Sequence, residues 1–212
     1  MKTKHIILVV LLTITTGLFA QFGIKTGVNM ANEIKSFSQA DIAAGFDSKN
    51  LNGYQIGLIY QAMPKKSGLG FEIAAILTQK GSAFTDTSTV AGIIQKGYRE
   101  LNYVEVPLNL RYRLMLGFIS IYGTAGVYGS YELSGKTVNE ITDATQNSTY
   151  PTFMDHVDYG YNLGLGLELF KKMQFGGTWS QGIKNSPALT TGLPSALTSS
   201  NRVFSINLVY MF

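Results

Sequence analysis

Apolar and polar residues alternate with period two along eight segments of this chain, at 22–30, 53–62, 69–79, 101–114, 118–133, 157–169, 173–181 and 202–212. Each segment is long enough to cross a bilayer as a tilted strand, which needs about 9 to 11 residues. The first sets Phe22, Ile24, Thr26 and Val28 on one face and Gly23, Lys25, Gly27 and Asn29 on the other. In the fourth, Val104, Val106, Leu108, Leu110 and Tyr112 alternate with Tyr103, Glu105, Asn109, Arg111 and Arg113. The last segment aligns Phe204, Ile206, Leu208, Tyr210 and Phe212 and finishes on that phenylalanine. The pattern predicts an all-β fold, an eight-stranded antiparallel up-and-down transmembrane β-barrel.

The connections alternate as well. Short ones at 63–68, 115–117 and 170–172 separate strands two and three, four and five, and six and seven. Long ones near 31–52, 80–100, 134–156 and 182–201 fill the other gaps, and they are rich in Ser, Thr, Asn, Asp and Gly as exposed turns are. Barrels of the outer membrane put short turns in the periplasm and long loops outside, so both chain ends are expected on the periplasmic side.

A soluble lipocalin-like barrel alternates in the same way, with its apolar face inside. Three features favour lipid outside. The polar face carries small residues such as Gly160, Gly164 and Gly166, and an eight-stranded interior is just wide enough for packed side chains, so bulky groups are expected outside. Aromatics fall toward strand ends, where interfacial girdles lie: Phe22, Tyr54, Tyr60, Tyr112, Tyr131, Tyr159, Trp179 and Phe212. Opposite charges are available to pair on the polar faces, Lys25, Arg111 and Arg113 against Glu72, Glu105 and Glu168. They predict a salt-bridged plug in the lumen.

Composition narrows the picture further. Lys2 and Lys4 precede an apolar run at 6–12 too short to span a bilayer, so residues 1–20 read as a secretory signal cut after Ala20, and 21–212 as one barrel domain. Removal of the signal lowers the net charge from +4 to +2. Basic residues are not interleaved with aromatics, which disfavours nucleic acid as a partner. The chain has no cysteine, which rules out disulfides, thiolate metal sites and a lipidated N-terminal cysteine.

The segments Gly23-Ile24-Lys25-Thr26-Gly27-Val28-Asn29, Tyr103-Val104-Glu105-Val106-Pro107-Leu108-Asn109-Leu110-Arg111-Tyr112, Tyr159-Gly160-Tyr161-Asn162-Leu163-Gly164-Leu165-Gly166 and Tyr210-Met211-Phe212 resemble the PorT-like outer-membrane β-barrel family of Gram-negative bacteria. The resemblance implies a small barrel in the outer membrane and no single biochemical activity. Some members of that family serve the secretion system that exports cell-surface proteins. It also implies insertion by the barrel-assembly machinery, read from the last strand: Phe204, Ile206, Leu208, Tyr210 and the terminal Phe212.

Other chemistry is sparse. Pro107 lacks an N–H and is expected to break one rung of the strand ladder and kink it locally. His156 stands between Asp155 and Asp158, and Ser130 and Ser180 are candidate nucleophiles, but no motif joins them, so catalysis on lipid is a remote alternative. Two carboxylates and one imidazole do not suit a loop calcium site, and no metal or cofactor is assigned. Phe37, Ile42 and Phe46 in the first loop and Leu189, Leu193 and Leu197 in the fourth could cluster at the mouth. The expected partners are outer-membrane lipid, the assembly machinery, and either secretion-apparatus proteins or an extracellular ligand, with the protein a monomer. The functional expectation is a structural or interaction protein with a polar plugged lumen; a narrow ion channel is the alternative.

Overall fold

A computed structural model describes residues 18–35, 46–64, 68–86, 95–139, 145–147, 156–183, 186–187 and 198–212. The strands are β1 (Leu18–Lys35), β2 (Phe46–Pro64), β3 (Leu69–Asp86), β4 (Gln95–Leu116), β5 (Ile119–Asn139), the short β6 (Thr145–Asn147), β7 (Val157–Leu169), β8 (Met173–Gly182), the short β9 (Ser186–Pro187) and β10 (Thr198–Met211). Each of the eight long strands pairs antiparallel with its neighbours, and β1 pairs with β10 from Gly23↔Met211 to Lys35↔Ser199. That last pairing closes the sheet. A closed barrel leaves no backbone donor or acceptor row facing hydrocarbon, where an unpaired group costs several kcal/mol.

The faces fall as the alternation predicts. Phe22, Ile24 and Val28 on β1, Val106, Leu108, Leu110 and Tyr112 on β4, and Phe204, Ile206, Leu208, Tyr210 and Phe212 at the end of the chain are exposed on the outside. Lys25, Asn29, Glu105, Asn109, Arg111, Ser205 and Asn207 are buried inside. An inward apolar wedge of Ile59, Ala74, Ile76, Val209 and Met211 fills one side of the interior.

Several strands are longer than the alternation suggests. β3 continues to Asp86 and β4 begins at Gln95, so most of 80–100 is a hairpin rather than a loop, with pairing as far as Asp86↔Gln95. Above the bilayer the outer face no longer needs apolar residues, yet the backbone ladder still favours pairing, so strand continues where the pattern stops. The wall is accordingly uneven, from 22 residues in β4 to 10 in β8.

The ladder between β3 and β4 omits Ala74 and Ala75 opposite Pro107 and Val106 and resumes in unchanged register at Ile76↔Glu105. On the other side Pro107↔Tyr128 keeps register, so the proline removes hydrogen bonds without a register shift. The irregularity of this hairpin lies higher, where Tyr103↔Glu132 is followed by Asn102↔Ser134 and Leu133 is the extra residue. Leu133 and Ser134 both face outward there, and the buried parity of β5 changes from even to odd numbers.

Candidate functional site

The site is the barrel interior, and strand parity builds it. On β3, Glu72, Ala74, Ile76, Thr78 and Lys80 are inward and buried; on β4, Tyr103, Glu105, Asn109 and Arg111; on β7, Asp158, Asn162 and Glu168. Of the six charged residues picked out by the sequence, the structure gathers four at the end of the barrel with the short turns. Arg111 is 1 % exposed and reaches two carboxylates, Nη1 to Glu72 Oε2 at 3.1 Å and Nη2 to Glu168 Oε2 at 3.1 Å. Arg113 Nη1 meets Glu168 Oε1 at 2.8 Å.

Neutral donors complete this layer. Glu72 also accepts from Asn109 Nδ2 at 2.9 Å and Gln61 Nε2 at 3.2 Å, and Glu168 accepts from Gln174 Nε2 at 3.3 Å. Gln61 and Gln174 bond each other across the lumen, at 3.1 and 3.0 Å. Charges out of water are tolerable only when paired and hydrogen-bonded in this way.

The Arg111 guanidinium carbon also lies 3.6 Å from the centre of the Tyr122 ring. Room for that ring comes from two glycines. Gly166 is Tyr122's partner across the β5–β7 ladder, and a Cβ on it would lie 2.5 Å from the ring; a Cβ on Gly176 would lie 2.5 Å from the phenol oxygen. The glycine spacing of β7 thus serves inward tyrosines, and the expectation that bulky groups stay outside does not hold for Tyr103, Tyr122 and Tyr128. Tyr122 and Tyr128 are long, flat side chains that lie along the wall where the opposite position on β7 lacks a Cβ, whereas Tyr103 stands opposite Thr78 and Glu132. Gly166→Val is expected to displace the Tyr122 ring and lower stability by about 1–3 kcal/mol, read as an earlier urea midpoint and loss of the ring-current shift on Arg111.

Glu105 pairs with Lys80, Nζ to Oε2 at 2.5 Å, in a second layer toward the long connections. Lys80 lies 4.6 Å from the Tyr128 ring centre and 5.2 Å from that of Tyr103. Tyr128 faces Gly160, repeating the tyrosine–glycine pairing. Lys80 lies one residue beyond the alternating segment that ends at Gln79. The signal was present, since Lys80 continues the even-numbered inward series from Glu72.

Lys25 is buried with Glu72, Glu105 and Arg111 as electrostatic neighbours, and it lines a cavity of about 20 Å³ between the two layers. Further polar pairs sit beside it. Asn29 donates to Thr78 Oγ1 at 2.8 Å and accepts from Ser205 Oγ at 2.8 Å, while Asn207 bonds both Gln55 and Thr178.

His156 stacks on Tyr131 with ring centres 5.3 Å apart, Ser130 donates to the backbone carbonyl of Asp158 at 3.3 Å, and Ser180 lines the cavity. Asp155 lies outside the described residues, as do Phe37, Ile42, Leu189, Leu193 and Leu197; Phe46 opens β2. Among the described residues no group of three or more acidic or imidazole side chains could hold a metal ion.

Comparison with solved structures gives outer-membrane barrels. The chain superposes on OprG from Pseudomonas aeruginosa with a TM-score of 0.50 and 14% identity, covering 92% of this chain and 97% of that one. The attachment invasion locus protein Ail of Yersinia pestis gives 0.46 at 13% identity, with 91% and 99% covered. Neisserial surface protein A gives 0.44 at 9% identity, with 91% and 99% covered. No curated protein matches the sequence. Residues 15–187 match the family described as outer membrane protein beta-barrel domain. With its strands closed on themselves, its apolar face outward and its charges paired within, the chain belongs to that family and is a small barrel protein of the outer membrane.

Proposed function

We propose that this barrel is closed to ions and works as a structural or interaction protein, holding its long connections outside the cell on a rigid wall. The observation that carries the reading is the pair of charge layers across the lumen, Arg111 with Glu72 and Glu168, and Lys80 with Glu105. An eight-stranded interior leaves little space beyond its own side chains, and the cavity beside Lys25 is about 20 Å³. Binding functions on such scaffolds reside in loops, so the partner is an extracellular molecule met at the long connections.

The PorT-like assignment belongs to the same proposal. It is supported by the mid-chain motif from Tyr103 to Tyr112 and would make the partner a component of a secretion apparatus. Export by the segment before Gln21, recognition of Phe204, Ile206, Leu208, Tyr210 and Phe212 by the assembly machinery, a monomeric state and the lack of catalytic activity complete it. In planar lipid bilayers the purified protein is expected to give no stepwise conductance. Steps whose size changes in Glu105→Gln or Arg111→Gln would overturn the closed-lumen reading in favour of a narrow channel.

A further inference from the structure

Three of the motif segments send side chains to one place. Lys25 comes from the first, Glu105, Pro107 and Asn109 from the mid-chain motif, and Asn162 from the glycine-spaced strand, and all line the cavity of about 20 Å³. Its lining includes short inward side chains at this level, Pro107 on β4 and Thr178 and Ser180 on β8. A site needs roughly 10–15 Å³ of such volume to hold one water. The cavity therefore has room for at least one water molecule.

Its polar lining is specific. Asn109 and Asn162 are both more than nine-tenths buried, and the Oδ1 of each has no hydrogen-bond partner. Glu72 takes the Nδ2 of Asn109 at 2.9 Å, and the Oδ1 lies over Gly126 on β5, 2.4 Å from where a Cβ there would stand. Lys25 brings a buried ammonium to the same cavity, a group with three donors and no acceptor. Two orphan acceptors and a lysine amino group thus belong to residues lining one cavity.

We propose that a single ordered water is bound there, donating its two protons to Asn109 Oδ1 and Asn162 Oδ1 and accepting from Lys25 Nζ. Other small occupants fit the chemistry less well. A metal cation would meet the Lys25 ammonium, and an anion would meet two amide oxygens. Water satisfies every group, since it carries two donors and two acceptors, and buried waters typically make about three hydrogen bonds. It joins β1, β4 and β7 at the level where Pro107 removes rungs of the β3–β4 ladder. The inference rests on the closed lumen, because a water at this depth stays long-lived only if the charge layers above and below it are shut.

The experiment is nuclear Overhauser spectroscopy of the full barrel in nanodiscs, with selective observation of water. A long-lived water is expected to give cross-peaks of slow-tumbling sign to the Asn109 and Asn162 side-chain amides. The cross-peak to the Asn109 amide is expected to vanish in Asn162→Leu, which fills the site, and to weaken in Lys25→Met, which removes the donor. Asn162→Ser keeps an acceptor and should retain the cross-peak to Asn109, so a fold lost in one variant does not remove the test. No cross-peaks in a non-conducting wild-type barrel would overturn the water site alone. Exchange-dominated peaks along the whole lumen, with conductance, would overturn the closed lumen as well. Anomalous signal in the cavity from crystals grown with bromide or rubidium would replace water by an ion.

Discussion

Arg111→Met is expected to lower the stability of the folded barrel by about 3–5 kcal/mol, the usual cost of removing one partner from a buried ion pair. The methionine fills much of the same space, so the loss arises from charge rather than from a hole. Glu72 and Glu168 each lose one of their donors at 3.1 Å, and the Tyr122 ring loses the cation lying 3.6 Å from its centre. Glu168 keeps its ion pair with Arg113 at 2.8 Å and Gln174, whereas Glu72 keeps hydrogen bonds only from neutral amides, with Lys25 as a charged neighbour beyond them. Adding Glu72→Gln to Arg111→Met should therefore recover more stability than adding Glu168→Gln. Urea titration of the barrel refolded in lipid vesicles checks this order, with the boiling-dependent shift in electrophoretic mobility confirming that each variant still closes. Equal recovery from both second substitutions would mean that the layer is one delocalised network rather than a pair of unequal bridges.

Leu165→Arg is expected to cost about 2–4 kcal/mol in the same assay, and Leu116→Arg about 0–1 kcal/mol. Both leucines point outward, Leu165 68 % exposed in the middle of β7 and Leu116 62 % exposed beside a short turn. In water the two substitutions would be equally harmless, because an exposed leucine loses nothing when replaced by a charged residue. In lipid the difference is large at the midplane and small at the interface, since the arginine of the second variant reaches headgroups. The depth dependence is thus a direct reading of which solvent surrounds the barrel. A flat profile would mean that the wall is not surrounded by hydrocarbon at Leu165.

Much of this architecture was legible along the chain because a strand has an invariant period of two. Once one face is assigned to lipid, the opposite face is determined, and Lys25, Glu72, Glu105, Arg111 and Glu168 follow as buried inward residues. Arg113, at the rim, follows as the same parity with less burial. Strand ends were less legible. Beyond the bilayer both faces are polar, and the hairpin running to Asp86↔Gln95 is held by backbone pairing that leaves no hydrophobic signature. That is why Lys80, the partner of Glu105, fell into an expected loop. Composition also misled in one respect: small residues on the polar face suggested a lumen without bulky groups, whereas Gly160 and Gly166 are small because Tyr128 and Tyr122 lie against them.

Sequence alone determined the barrel class, the number of crossing strands and the alternation of faces within the bilayer, because parity and turn spacing are local properties of the chain; the bulge at Leu133, which reverses the parity of β5, was not among them. Which charges meet, and what fills the space between them, was decided only by the tertiary structure. Register between strands distant in sequence sets those contacts: it brings Arg111 of β4 to Glu168 of β7, Tyr122 of β5 to Gly166 and Gly176, and Lys25, Asn109 and Asn162 to one cavity. A shift of two residues in a ladder would preserve every inward and outward assignment and yet dissolve the contacts made across it.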